Sequence, residues 1–339
     1  MMSWTPLLLT DPSPNLRYLV LKHLLDKPDE ARELENIRLE DPLVKKLITQ
    51  QNPDGSWSPD SITGNAPQGK VQTTAQALTR LGYLELTHPA ITKGAEYLYS
   101  QQQGDGSWLL GNYAADLDGR DVYDRMSLQT SLPLRGLAAA GYAEDPRSEH
   151  AYEWLLEQQL PDGAWPTGVA GDIYGYVAGY RRLPHSRWGC RSNTTAAITC
   201  LSMHPERRKN REVRRAMDHL LGRETRERHY MGFDVARIIG AEPATGFITY
   251  YARFDVAYIL RLLTHVEAST SDQRIKDLVE FIREQQGEYG LYEYTKPQAT
   301  RWVTFDVLRT LREVLPESDW VNVEPRTPFQ PYPAKKKRF

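Results

Sequence analysis

Only two of the 339 residues are cysteine, Cys190 and Cys200. Both fall at what reads as the start of one helix, where ten residues span about 15 Å, too far for a disulfide. A disulfide framework is therefore excluded, and a reducing, cytoplasmic setting is expected. Long apolar runs are missing too: none approaches the roughly 18 residues of a membrane span. The start, "MMSWTPLLLTDPSPN", has no basic segment and only three leucines before a polar break, so no signal peptide is expected. No single sign of charge dominates. Forty-two lysines and arginines against 44 acidic residues leave a net charge of −2, no footing for nucleic-acid binding. Period-two runs bounded by hairpin turns are scarce, so strands are not expected.

What the chain does have is repetition. "QQNPDGSW" ends at Trp57, "QQQGDGSW" at Trp108 and "EQQLPDGAW" at Trp165, while "EQQGEYGLYEY" from Glu284 carries tyrosine in place of tryptophan. Taking Gln51, Gln102, Gln159 and Gln286 as equivalent, the last step is about twice the others. One copy has decayed between them, with "AMDHLLGRETRERHYMG" the candidate. Such a period means one supersecondary unit stacked many times.

Each unit holds two helical patterns. One is rich in small and apolar residues, as in 15–25, 73–83, 130–142, 193–204, 254–266 and 302–314. The other is amphipathic and leads into the motif, as in 91–102, 148–159, 213–223 and 274–286. The segment 31–51, broken near Pro42, supplies an earlier member. Six helices buried over more of their circumference, alternating with more polar ones, suggest two concentric rings. An open solenoid also fits the alternation. The count near six and the lack of a polar capping repeat favour closure.

The repeated motif has a physical reading. Helix ends leave carbonyls without partners, and a glycine just past the last turn is a common way to terminate. "DG" makes a tight turn, the tryptophan carries large apolar area and one N–H, and the glutamine can bond backbone across the junction. That describes a clip between neighbouring outer helices. A sugar platform of exposed tryptophans is the alternative, but regular spacing favours architecture.

These clips resemble the "QW" repeats of squalene–hopene and oxidosqualene cyclases and, less closely, the β subunits of protein prenyltransferases. Gln102, Asp105, Gly106, Ser107 and Trp108 match the cyclase motif, as do Gln51 to Trp57 and Gln159 to Trp165. The resemblance runs over roughly residues 15–315. A full triterpene cyclase has two such barrels and this chain has room for one, so it looks like the single-barrel, bacterial, cyclase-like relatives. The resemblance implies an all-α fold, an (α/α)6 toroid of two helical rings, as one domain over residues 1–315. It implies a terpenoid cyclase-like enzyme of the isomerase or lyase type. The substrate would be an apolar, isoprenoid-type small molecule, with no cofactor.

The chain also departs from the family. Class II cyclases protonate an alkene or epoxide with an Asp-x-Asp-Asp motif at the mouth of an inner helix, one carboxyl kept protonated by burial and a neighbouring charge. That motif is absent. The nearest cluster is "AADLDGRDVYDR", a loop ahead of an inner helix, with Asp116, Asp118, Asp121 and Asp124. Asp116 and Asp118 are the catalytic candidates, against the alternative of a solvated acidic loop. Asp255, at the mouth of a later inner helix, is next. The prenyltransferase route needs zinc held by Asp, Cys and His. Cys190 and Asp255 sit at inner-helix starts, but the Asp-x-Cys pair is absent and His185 and His229 lie unanchored in loops, so no metal is expected. An Asp-Asp-x-x-Asp cluster and a thioester motif are missing as well.

The connections into the inner helices are aromatic. Tyr113, Tyr174, Tyr176, Tyr180, Trp188, Phe247, Tyr250 and Tyr251 are candidate substrate-binding residues, with Phe254 beside them. Such rings stabilise carbocations through their negative faces, and they also suit any apolar pocket. Arg191 and Arg253, with Arg181, Arg182 and Arg187, lie in the same loops and suit a substrate anion. Residues 316–339, proline-rich and then basic, read as a disordered tail able to touch a membrane surface weakly. Three readings follow: a cyclase, a non-catalytic ligand-binding or scaffold toroid, and a glycan-active α/α barrel. The last needs two carboxylates roughly 5–9.5 Å apart.

Overall fold

The computed structural model describes residues 4–62, 69–109, 126–170, 173–175, 177, 179–221, 230–243 and 254–320. After α1 (Thr5–Leu9), α2 (Pro14–His23) begins where Ser13 accepts the N–H of Leu16 and Pro14 supplies a preset first turn. Three short pieces follow, α3 (Pro28–Arg32), α4 (Glu35–Arg38) and α5 (Pro42–Thr49). Then come α6 (Lys70–Tyr83), α7 (Pro89–Ser100), α8 (Ser127–Ala139) and α9 (Pro146–Glu157). A hairpin of two-residue strands, β1 (Val169–Ala170) and β2 (Ile173–Tyr174), precedes α10 (Arg191–Leu201) and α11 (Arg211–Leu220). The order closes with α12 (Phe233–Ile238), α13 (Val256–His265), α14 (Gln273–Glu284) and α15 (Pro297–Glu313).

Six of these helices form a closed inner ring. α6 packs on α8 and α8 on α10. α10 meets α13 through the hydroxyls of Thr199 and Tyr258, and α13 packs on α15. His23 of α2 lies against Phe305 of α15, ring centroids 6.5 Å apart. Lys22 and His23 then reach Glu85, just past α6, at 2.7 and 2.6 Å. The outer ring is built on this frame: α3 and α4 on α2, α7 on α6, α9 on α8, α11 on α10 and α14 on α13. Inner helices are wrapped on all sides, and every residue of α10 is buried. Outer helices such as α7 and α14 bury one stripe and wet the other. The architecture is the (α/α)6 toroid expected from the alternating pattern. Its tightest seam is α6 against α8, where Gly136 lets the backbones touch. A Cβ there would sit 2.5 Å from the carbonyl oxygen of Ala75.

The repeated tryptophans are fasteners between the rings. The indole N–H groups of Trp57, Trp108 and Trp165 donate to Leu47, Leu98 and Leu155, carbonyls in the last turns of α5, α7 and α9, at 2.7–2.8 Å. Their backbone N–H groups donate to Thr74, Thr130 and Thr194 on the inner helices, at 3.0, 3.1 and 2.9 Å. The glutamine joins each unit to the next. Gln102 donates to Gly106 in its own turn and to Arg147 in the first turn of α9, both at 2.9 Å. Gln51 and Gln159 do the same towards α7 and α11. Gly106 sits at φ +89°, where a Cβ would also strike the carbonyl of His150 at 2.7 Å. In the worn copy Tyr292 keeps the backbone bond to Thr304 at 2.9 Å, and Gln286 still holds Gly290.

α12 belongs to neither ring. It touches α6 and α15, bonds across to α8 and α13, and packs Phe233 against Leu128 of α8 and Ala196 of α10. A helix in contact with five inner helices lies in the lumen. Residues 316–320 of the expected tail are placed on the body. Trp320 is buried, and the carboxylate of Asp319 lies 2.8 Å from Arg214.

Candidate functional site

The lumen is held together by charge. Arg135 of α8 donates to both carboxylate oxygens of Asp234 on α12, at 3.0 and 2.8 Å. Arg261 of α13 bonds Asp234 from the other side and also grips both oxygens of Asp306 on α15, at 3.0 and 3.1 Å. Arg309 completes the row, 3.5 Å from Asp306. Cation and anion alternate along Arg135, Asp234, Arg261, Asp306 and Arg309. Burial alone would push the Asp234 carboxyl up, but Arg135 and Arg261 overcome it and hold the group well below its ordinary range. Arg261, also desolvated, is held charged by Asp306 and Asp234. Asp234 is therefore not a proton donor here.

Beside this row, at the C-terminal ends of the inner helices, lies a cavity of about 180 Å³. Tyr83 and Gly82 close it from α6, Ala139 from α8, Thr199 and Met203 from α10, and Leu262 and His265 from α13. Ile238 of α12 forms the floor, and Arg135, Arg261 and Arg309 present their side chains to it. Burial, reinforced by Arg261 and Arg309, drops His265 to about 3, so its ring is neutral at physiological pH. Burial lifts Tyr258 to about 12 against the opposing charge of Arg135. The guanidinium carbons of Arg261 and Arg135 lie 5.1 and 5.7 Å from the Tyr258 ring, so protein cations already stand beside that face.

Of the candidates chosen from sequence, only some fall among the described residues. Asp116, Asp118, Tyr113, Tyr176, Phe247, Tyr250, Tyr251 and Arg253 lie outside the described residues, as do Asp121 and Asp124. Of Tyr180, only its backbone is described, in the short turn Gly179–Arg181. Tyr174 and Trp188 are brought together, centroids 5.9 Å apart, with Arg187 5.0 Å from the Trp188 ring. Arg191 opens α10, buried, 5.6 Å from the ring of Phe254. None of these lines the 180 Å³ cavity.

Asp255 is fully buried and ties two helices at once. Its Oδ1 accepts the N–H of Gly232 at 2.8 Å and of Tyr258 at 3.3 Å, and its Oδ2 accepts that of Asp234 at 3.0 Å. It thus caps both α12 and α13. Burial raises its carboxyl to about 6, the backbone donors of Asp234 and Gly232 oppose this, and the charge of Asp234 adds to the rise. Cys190 and Cys200 are both buried and unbridged, and the Cys190 N–H donates to Trp165 at 2.8 Å. Among the described residues, no group of three or more His, Cys, Asp or Glu is arranged to hold a metal. None of the described helices is long and apolar enough to cross a membrane.

Similarity to known proteins agrees with this architecture. Residues 20–173 match the squalene-hopene cyclase C-terminal domain. Over that stretch the chain is similar to the squalene cyclase-like superfamily. It is 31% identical over 137 residues to the squalene–hopene cyclase of Zymomonas mobilis, a match covering 38% of this chain and 20% of that protein. Lanosterol synthase of Candida albicans is 25% identical over 144 residues, covering 41% of this chain and 19% of that one. The chain thus spans about a fifth of the length of the curated relatives it matches. Among solved structures, type II terpene cyclase MstE of Scytonema, bound to geranylgeranyl dihydroxybenzoate, is 17% identical with a TM-score of 0.46. That match covers 79% of this chain and 69% of the other.

The row of arginines and aspartates escaped the motif search, although the sequence carries a signal for it. Arg135 interrupts "TSLPLRGLAAAGY", Arg261 interrupts "YILRLL" and Asp306 interrupts "WVTFDVL". A lone charge in the middle of an otherwise apolar inner helix needs a buried partner of opposite sign.

Proposed function

We propose that this chain is a terpenoid cyclase-like protein that takes an apolar, isoprenoid-type small molecule into the central cavity of the toroid. The observation that carries this reading is the cavity itself, about 180 Å³ at the C-terminal ends of the inner helices with Tyr83, Tyr258, Met203, Leu262 and Ile238 on its wall. Aromatic and aliphatic side chains around a few fixed polar groups suit an apolar ligand. In this cavity the function is retention of the ligand rather than acid-initiated cyclisation. Glu85 on its wall is paired with Lys22 and His23, Asp234 and Asp306 behind the wall are each held by two arginines, and Tyr258 already neighbours two protein cations.

A second reading, the cyclase, is favoured by one observation, the Asp255 carboxyl raised to about 6. A buried acid beside a like charge is what protonation of an alkene requires. That reading keeps Asp255 as proton donor, with Asp116 and Asp118 as the alternatives in the acidic loop. The glycan-active reading finds no support among the described residues, where the buried Asp234 and Asp306 are both tied to Arg261. Solvent extraction of the purified protein followed by mass spectrometry tests the first reading. A prenyl compound at near-stoichiometric amount is expected. A clean extract, together with no thermal stabilisation by any prenyl compound, sinks it.

A further inference from the structure

α12 lies in the lumen of the six inner helices, and the cavity that described residues bound beside it has about 180 Å³. An engineered cavity of about 150 Å³ holds one benzene, whereas pockets for larger organic ligands run from about 300 Å³ upward. A squalene-sized hydrocarbon therefore exceeds this cavity.

The charges along the wall do not cancel. Three arginines, Arg135, Arg261 and Arg309, share two carboxylates, Asp234 and Asp306. The carboxylate on the wall itself, Glu85, is paired with Lys22 and His23. Arg309 is the end of the row. Its carboxylate partner among the described residues, Asp306, stands 3.5 Å away and already accepts from Arg261 at both oxygens. The guanidinium fork, flanked by the rings of Phe305 and Tyr83 at 5.4 and 5.7 Å, faces the cavity with donors left over. A planar fork of this kind matches the two oxygens of a carboxylate or phosphate. In the same wall burial, and after it Arg261 and Arg309, keeps His265 neutral.

We propose that the cavity takes a short amphipathic anion, an apolar body of roughly six to ten carbons with one carboxylate or phosphate head seated on Arg309. This rests on the isoprenoid reading above and narrows it. The arginines have an ordinary competing role as partners for the helix ends and aspartates alone, and the experiment separates the two.

Isothermal titration of the full chain with geranic acid, geranyl monophosphate, geraniol and squalene is the test, on wild type, Arg309→Met, Arg309→Gln and Arg309→Lys. Geranic acid or geranyl monophosphate is expected to bind at least about tenfold more tightly than geraniol, the worth of one charged hydrogen bond. Squalene is expected not to bind. Arg309→Met or Arg309→Gln, checked by circular dichroism for an intact fold, lowers the anion to the level of geraniol, and Arg309→Lys retains most of the preference. Whichever anion binds more tightly identifies the head group. Equal binding of geraniol and the anions by wild type overturns the anion inference and leaves the isoprenoid reading standing. So does a preference unchanged in Arg309→Met. If none of the four ligands binds, the isoprenoid reading falls and this inference with it.

Discussion

Asp234 receives both terminal nitrogens of Arg135 across the lumen, at 3.0 and 2.8 Å, and by that contact a six-residue helix is fixed inside a ring of six others. So short a helix has little stability of its own, and its position depends on tertiary contacts. Breaking a buried ion pair from one side leaves a desolvated charge, which costs about 3–5 kcal/mol. Asp234→Asn strands Arg135 and part of Arg261, so urea unfolding should show a loss of that size. The double variant Asp234→Asn with Arg135→Met should recover part of it, because the stranded cation is gone. A single-variant loss below about 1 kcal/mol would mean that the row is ornamental.

The tryptophan clips predict a graded response. Trp108 is fully buried and bonded at both its backbone and indole nitrogens, so Trp108→Ala should cost about 3–5 kcal/mol. Thr130→Val removes only the acceptor for the Trp108 N–H, and the orphaned donor should cost about 1–3 kcal/mol. Thermal unfolding of the two variants checks the order. If Trp108→Ala melts like wild type, the clip does not fasten the rings.

The rings were legible in the sequence because each inner helix repeats one physical requirement, burial on all sides, and each outer helix another, burial of one stripe. Eleven buried positions in "RSNTTAAITCL" and one apolar face in "QRIKDLVEFIRE" are different patterns, and both lie well above the length at which periodicity speaks. α12 was not legible for the same reason. "FDVARI" spans under two turns, and Asp234 in it looks like a surface charge until Arg135 and Arg261 are seen to enclose it. Of the aromatic loop residues, Tyr174 and Trp188 pack on one another, and most of the rest lie outside the described residues. The described cavity is walled by the C-terminal ends of the inner helices, where Tyr83, Met203 and His265 carry no motif.

His265 makes stability depend on pH in a definite direction. Its folded value is about 3 against an ordinary 6.5, because burial and then Arg261 and Arg309 oppose its charge. Between those two values the unfolded chain binds a proton that the folded one refuses, so this contribution is full above pH 6.5 and is lost as pH falls. At about 1.4 kcal/mol per unit, some 3 kcal/mol goes between pH 6.5 and 4.5. In His265→Leu that loss should vanish, so variant minus wild type rises by about 2–3 kcal/mol over the interval in urea titrations. A difference that stays constant with pH would show that His265 is not the group excluded from protonation.

Asp255 carries two incompatible roles, and one substitution separates them. As a cap it accepts three backbone N–H groups, from Gly232, Asp234 and Tyr258, and so binds the start of α12 to the start of α13. Asparagine keeps one acceptor oxygen and turns an N–H₂ towards a donor, so at least one N–H is left unpaired, at about 1–3 kcal/mol. The folded carboxyl lies near 6, above its ordinary 3.8. Wild type therefore loses stability as pH rises from about 3.8 to 6, by about 3 kcal/mol at most, and an amide does not. The deficit of Asp255→Asn should accordingly be largest near pH 4 and shrink towards pH 7. As a proton donor, Asp255 would instead be needed in its protonated form. Turnover of a prenyl alkene, followed by gas chromatography with mass spectrometry, would fall as pH passes 6 and drop by about 100-fold or more in Asp255→Asn. We expect the stability signature without the catalytic one, because Asp255 does not line the described cavity and all its bonds are to backbone. A folded Asp255→Asn variant that loses a measurable turnover would reverse that assignment and make the cap the site of the acid.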